Sequence, residues 1–138
     1  MDIKKKVDQL VRTHNTNNPY VIAEAMGIVV RHVPLGNILG FHTRQCRVSL
    51  IHVNESLSTE QQIFTCSHEM GHAILHPEVS TPFLKSSTYF SNEKIEKEAN
   101  EFAIELLLSK EVVNPITVQD AIESYRIPKQ LLYKKIYP

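Results

Sequence analysis

The sequence predicts one α+β domain, with helices packed on a small, mainly antiparallel three-stranded sheet and a short helical C-terminal tail. Three observations predict it. The 138 residues match the size of one domain of about 100–200 residues. Three β-branched runs separated by turn residues lie between Ile28 and Val53. On either side of them, apolar residues recur at helical spacing. No repeat, low-complexity tract or linker divides the chain, so residues 1–138 read as one unit.

Each element has a local cause. Ile3, Val7, Leu10 and Val11 fall on one helix face, which Asn15-Thr16-Asn17-Asn18-Pro19 ends. Tyr20 to Met26 reads as a short helix stopped by Gly27, a residue that accepts the left-handed C′ conformation without steric cost. Strands are expected at Ile28–Val33, ending before Pro34, then at Ile38–Thr43 and Cys46–Val53, facing each other across Arg44-Gln45. Ser58, with Gln61 three residues on, opens a helix through a capping box. That helix should reach about Leu75 and stop before Pro77. Thr81 to Ser91 shows no period and reads as loop with room for a short strand. A long helix covers about Glu93 to Leu108, its inward stripe formed by Ala99, Ala103, Leu106 and Leu107. Asn114-Pro115 breaks the chain, Thr117 with Asp120 caps a short helix, and Pro128 suits the first position of a last one.

Composition excludes several functions. Fifteen Lys+Arg balance fifteen Asp+Glu, whereas a dedicated nucleic-acid binder is usually basic. No apolar run approaches the roughly 18–20 residues that span a bilayer, and the N-terminus has no signal-peptide core. Cys46 and Cys66 cannot build a disulfide scaffold. A cytoplasmic chain without a membrane partner is expected. Seven histidines against three aspartates stand out.

Two of those histidines lie in His68-Glu69-Met70-Gly71-His72, in the middle of the Ser58 helix. At i and i+4 they share a face, so both imidazoles can reach one ion. Glu69 sits about one hundred degrees round the helix, beside the ion, where its carboxylate can take a proton from water. With this composition the bare pattern arises by accident in about 3% of shuffled chains, so a third ligand has to decide. Two residues compete for that role. His76 follows His72 by four, but i to i+8 spans roughly 12 Å of straight helix, too far to share one ion with His68. It reads as a residue touching a ligand, or as a helix-end residue with no ligand role. Glu96 is the acidic residue on the buried stripe of the second long helix, and a carboxylate there needs a partner. His68, His72 and Glu96 with an open fourth position make a catalytic zinc set, although Mn²⁺ or Fe²⁺ also suits these ligands. Cys66 points away and reads as a small core residue.

The run His68 to His76, followed by Glu96-Lys97-Glu98-Ala99-Asn100 and Leu106-Leu107, resembles the ImmA/IrrE family of metallopeptidases of bacteria, phages and mobile elements. Asn18-Pro19, Gly27-Ile28 and Gly40-Phe41 extend the likeness over about residues 18–110, leaving a helical tail at 115–138. The resemblance implies a zincin-like fold, His68, His72 and Glu96 as ligands, and Glu69 as base. It also implies cleavage of a helix-turn-helix repressor, with release of phage, mobile-element or stress genes. A large C-terminal sensor module, carried by some relatives, is not expected here.

A zinc endopeptidase would hold its substrate extended on an edge strand, expected from Ile38–Thr43 or Cys46–Val53. Tyr89, His42 and His76 are candidates to steady the oxyanion, and each also has a purely structural reading. An alternative is a metal-holding antirepressor that inactivates its repressor by binding, with little or no proteolysis. Direct DNA binding through Arg126, Lys129, Lys134 and Lys135 is disfavoured. Ile127, Leu131, Leu132 and Ile136 give that tail an apolar face suited to packing on the core.

Overall fold

The computed structural model describes residues 1–80, 82–84 and 88–136. Helices α1 (Ile3–His14) and α2 (Pro19–Ala25) lead into strands β1 (Val29–Val33), β2 (Ile38–Gln45) and β3 (Val48–Asn54). Helix α3 (Thr59–Leu75), strand β4 (Pro82–Leu84) and helix α4 (Lys94–Leu107) follow. The tail consists of α5 (Val118–Glu123), a 3₁₀ turn (Lys129–Leu132) and α6 (Tyr133–Ile136). Residues 81 and 85–87 of the expected loop, and 137–138 of the tail, lie outside the described residues.

The caps follow the local chemistry. Ser58 Oγ accepts from the Gln61 N–H while Gln61 answers at the Ser58 N–H, and Thr117 and Asp120 repeat the exchange at α5. Gly27 has φ +74°, as its place after α2 requires. Pro128 differs from expectation. With ψ 133° it stands just outside the 3₁₀ turn, holding the extended backbone from which that turn starts.

Among the described residues the sheet has four strands, in the order β1-β3-β2-β4. Three pairing features depart from the expectation. β4 is the short strand for which the segment Thr81 to Ser91 left room, and by pairing antiparallel with β2 it makes the sheet one strand larger than expected. β1 pairs parallel with β3, Val29 opposite Leu50, so β3 is inserted between the two strands that precede it. Pro34–Asn37 carry the chain across its end, where Asn54 Nδ2 donates to the carbonyls of Gly36 and Ile38, both at 2.9 Å. The hairpin turns at Cys46-Arg47, not Arg44-Gln45. Gln45 faces Val48, and both turn residues are left-handed, with φ 51° and 66°. Two positive-φ residues match the twist of a two-residue hairpin even where neither is glycine. The expected substrate strands β2 and β3 both lie inside the sheet, whose edges among the described residues are β1 and β4.

One face of the sheet packs on α3, and α3 packs on α4. Ile51, Val53, Cys66, Met70, Phe102 and Leu106 join α1 and α2 in one apolar cluster. Phe64, Phe83, Tyr89, Ala103 and Leu107 form a second, which takes in Ala121, Ile127 and Leu132 of the tail, with Leu131 and Ile136 against it. The tail therefore buries its apolar face. Burying a side chain such as Leu132 stabilises by about 1.5–3 kcal/mol.

Candidate metal centre

His68, Glu69 and His72 sit in the buried middle of α3, and Glu96 in the first turn of α4. The two helices run antiparallel at close range because small residues face each other. A Cβ on Gly71 would lie 3.1 Å from Phe102 Cβ and 3.2 Å from Ala99 Cα. On the opposite side β2 comes equally near. A Cβ on Gly40 would lie 2.7 Å from both the His52 carbonyl oxygen and Thr65 Cγ2, with Glu69 Cγ at 3.7 Å. Glycine at these two positions lets helix, helix and strand close round one point.

At that point the ligand-type atoms of His68, His72 and Glu96 lie within 4.8 Å of one another. Glu96 Oε1 is 2.6 Å from His72 Nε2 and 3.3 Å from His68 Nε2. The structure thus brings together the three residues expected as ligands. Their donor set suits a divalent ion, and His68 supplies a direct check. Its Nδ1 is 2.9 Å from Asn100 Oδ1, whose amide nitrogen donates in turn to the Tyr89 carbonyl. An amide oxygen only accepts, so the His68 proton is on Nδ1 and the Nε2 lone pair faces Glu96. That buried Nε2 has no hydrogen-bond partner. Acceptor facing acceptor in a buried site is the arrangement a cation resolves.

Charge states agree with this. Burial pushes the His68 pKa down, which keeps the imidazole neutral as a ligand must be. Burial pushes the Glu96 carboxyl up, but hydrogen bonding from the imidazole side, shortest from His72 Nε2 at 2.6 Å, outweighs it and holds the group well below the usual carboxylate range while no ion is bound. Glu69 behaves oppositely. It is fully buried, neither carboxylate oxygen has a hydrogen-bond partner, and burial together with the Glu96 charge raises its pKa well above 4.5.

The remaining candidates are placed as follows. His76 ends α3, with its ring between His72 and Glu98. His42 is buried and has both ring nitrogens engaged, Nδ1 with the Val79 carbonyl and Nε2 with Ser49 Oγ, each at 3.1 Å. The Tyr89 ring packs between Phe64 and Phe83, where burial pushes its phenol up to about 12. Cys66 is a core residue, its thiol likewise raised to about 12 by burial. Sequence reasoning assigned no role to Asn100, Glu98 or Phe83, whose ring stacks on His68 at 3.9 Å. The signal for Asn100 was its place on the inward stripe, one turn beyond Glu96.

A helix-borne His–Glu–x–x–His with a carboxylate from a second helix is a group that could hold a metal ion, the donor pattern of the metallopeptidase class. The chain belongs to the peptidase M78 family, described as the IrrE N-terminal-like domain, which matches residues 23–131. It is 40% identical to uncharacterized immunity region protein 2 of Bacillus phage phi105, over 96% of this chain and 88% of that relative. It is 35% identical to Metallopeptidase ImmA of Bacillus subtilis (strain 168), over 81% of this chain and 66% of that relative. The family match and the likeness to Metallopeptidase ImmA support a peptidase. Among the described residues no helix is long and apolar enough to cross a membrane.

Proposed function

We propose that this chain is a zinc-dependent endopeptidase acting on a helix-turn-helix transcriptional repressor, whose cleavage relieves repression of phage, mobile-element or stress genes. The observation that carries the reading is the convergence of His68, His72 and Glu96 beside an unpartnered, fully buried Glu69. In this proposal the three residues hold the ion, zinc first and Mn²⁺ or Fe²⁺ as substitutes. A divalent ion there supplies Lewis acidity, lowering the pKa of water and polarising a peptide carbonyl.

The chain's own residues do the rest. Glu69, ionised once a cation beside it offsets the burial and the Glu96 charge that raise its pKa, takes a proton from the attacking water at a carboxylate oxygen and returns it to the leaving amine. Asn100 and Phe83 fix the His68 ring by hydrogen bond and by stacking. The proposed reaction makes no use of His42 or His76 as oxyanion donors, since both rings already have partners at each nitrogen. β4 is the edge strand next to the site, because its Phe83 covers His68, and it replaces β2 and β3 as the strand on which we seat an extended substrate. The designation of the phage relative as an immunity region protein supports a repressor as target.

One observation favours a second reading. His68, Glu69 and His72 are at most 1% exposed, which suits an antirepressor that holds metal but works by binding. Glu69→Gln separates the two. Incubated with the repressor encoded beside it, the variant should lose cleavage by about 10²–10⁴-fold while keeping its metal. Antirepression that survives the change would leave the binding reading standing and the protease reading without support.

A further inference from the structure

The outward side of α4 is patterned as well as its inward one. Lys97, Glu101, Ile104, Glu105 and Leu108 recur at helical spacing and floor a groove that the tail walls on one side. The groove consists of two cavities, of about 510 and 680 Å³, that share Glu105, Lys134 and Lys135. From Lys97 to Leu108 it follows the helix for about 16 Å, or three turns. Ile104, Leu131 and Tyr89 make its middle apolar. Phe90, 53% exposed, lines it from the segment before α4, and Tyr133, 62% exposed, lines it from the tail. Phe64, Phe83 and Phe102, by contrast, are buried in the core. Two aromatic rings left this open in one groove have the composition of an interface.

The charges along the groove select its partner. Three of its four acids are matched, Asp8 by Lys4, Glu105 by Lys135 and Glu111 by Arg12. Among the described residues Lys97, Lys110 and Lys134 have no ion-pair partner, against Glu101 as the one unmatched acid. The whole chain is neutral, so this excess of cation belongs to the groove. Its floor is a helix whose backbone is bonded within itself, which offers side chains and no strand edge. A segment that satisfies its own backbone, a helix, fits such a floor. We infer that the groove docks an amphipathic, acidic helix of the repressor, with apolar residues against Ile104, Leu131, Phe90 and Tyr133 and carboxylates toward Lys97, Lys110 and Lys134. The inference rests on the reading of a repressor as partner and gives it a second contact, apart from β4. Tyr89 and Asn100 line one end of the groove and also steady His68, through Asn100 Oδ1 at 2.9 Å, so that end adjoins the metal centre.

The test uses the full chain carrying Glu69→Gln, so that the repressor encoded beside it is bound without being cut, and calorimetry reads the affinity. Phe90→Ala and Tyr133→Ala should each weaken binding about 5–30-fold. Both rings are exposed, so truncating them leaves the core intact, which circular dichroism checks. Lys97→Glu combined with Lys134→Glu should weaken binding most at low salt, and the loss should shrink as salt screens the charges. Hydrogen exchange should show the protected segment of the repressor to be a helix. Full affinity in the Phe90→Ala/Tyr133→Ala double variant, tighter binding in the lysine variants, or no capture of the repressor at all would overturn the assignment. A DNA fragment held through the same lysines, with repressor binding untouched by their reversal, would overturn it too. Groove variants that bind normally, beside a wild-type chain that cuts the repressor, would remove the groove and leave the peptidase reading intact. Capture lost in the groove variants, beside antirepression that survives Glu69→Gln, would support the groove and remove the peptidase reading.

Discussion

The two ends of the α3–α4 pair are built from the same backbone and opposite chemistry. At one end Phe64 of α3 meets the cluster of Ala103, Ile104 and Leu107 of α4, an apolar interior. At the other, His68, His72 and His76 meet Asn100, Glu96 and Glu98. The first end gains stability from removing apolar surface from water. The second buries groups that water would hold more cheaply, and leaves His68 Nε2 and both Glu69 oxygens without hydrogen bonds. A helix pair can carry such a site because its other end and the flanking clusters hold the frame. Stability and chemistry are thus separated along one interface.

Substitutions at the two ends should therefore have different signatures. Leu107→Ala, at the apolar end, should cost about 2–5 kcal/mol in denaturant unfolding. The folded variant should bind metal as wild type does, and a matching loss of metal affinity would break the separation. Gly40→Ala touches the frame itself. Its Cβ meets the His52 carbonyl and Thr65, so stability should fall by about 1–3 kcal/mol and β2 should move off Glu69. Cleavage per folded molecule should drop with it, and full specific activity would show that the close approach of β2 is not required.

The smallest effect is a slope. Burial raises the folded-state pKa of Glu69 above its ordinary 4.5, so the folded chain binds a proton that the unfolded chain has released. That contribution is greatest at low pH and is lost as pH rises from about 4.5 through the folded value, by at most about 1.4 kcal/mol per unit. Urea midpoints of the metal-free chain between pH 5 and 8 should decline more steeply for wild type than for Glu69→Gln. Parallel slopes would mean that the Glu69 carboxyl is not perturbed.

What the sequence made legible follows from range. The capping boxes at Ser58 and Thr117 and the stop at Gly27 depend on residues within one turn, and each forms as read. The His68–His72 spacing and the inward stripe carrying Glu96 are properties of a single helix, which is why the residues the structure brings together were on the page beforehand. The parallel β1–β3 pairing is decided by which strand slides between two others, and no local residue encodes it. The turn at Cys46-Arg47 was hidden because neither residue is the glycine or asparagine that usually marks positive φ. Asn100, Glu98 and Phe83 acquire their roles only when α4 and β4 are laid against α3.

The central claim is that His68, His72 and Glu96 together hold one divalent ion. Metal analysis of the purified chain against Glu96→Ala tests it most directly, with circular dichroism to confirm that both are folded. About one equivalent of zinc per wild-type chain, lost in the variant, is the predicted result. A folded Glu96→Ala that retains the full equivalent, or a wild-type chain that takes up no divalent metal, would contradict it.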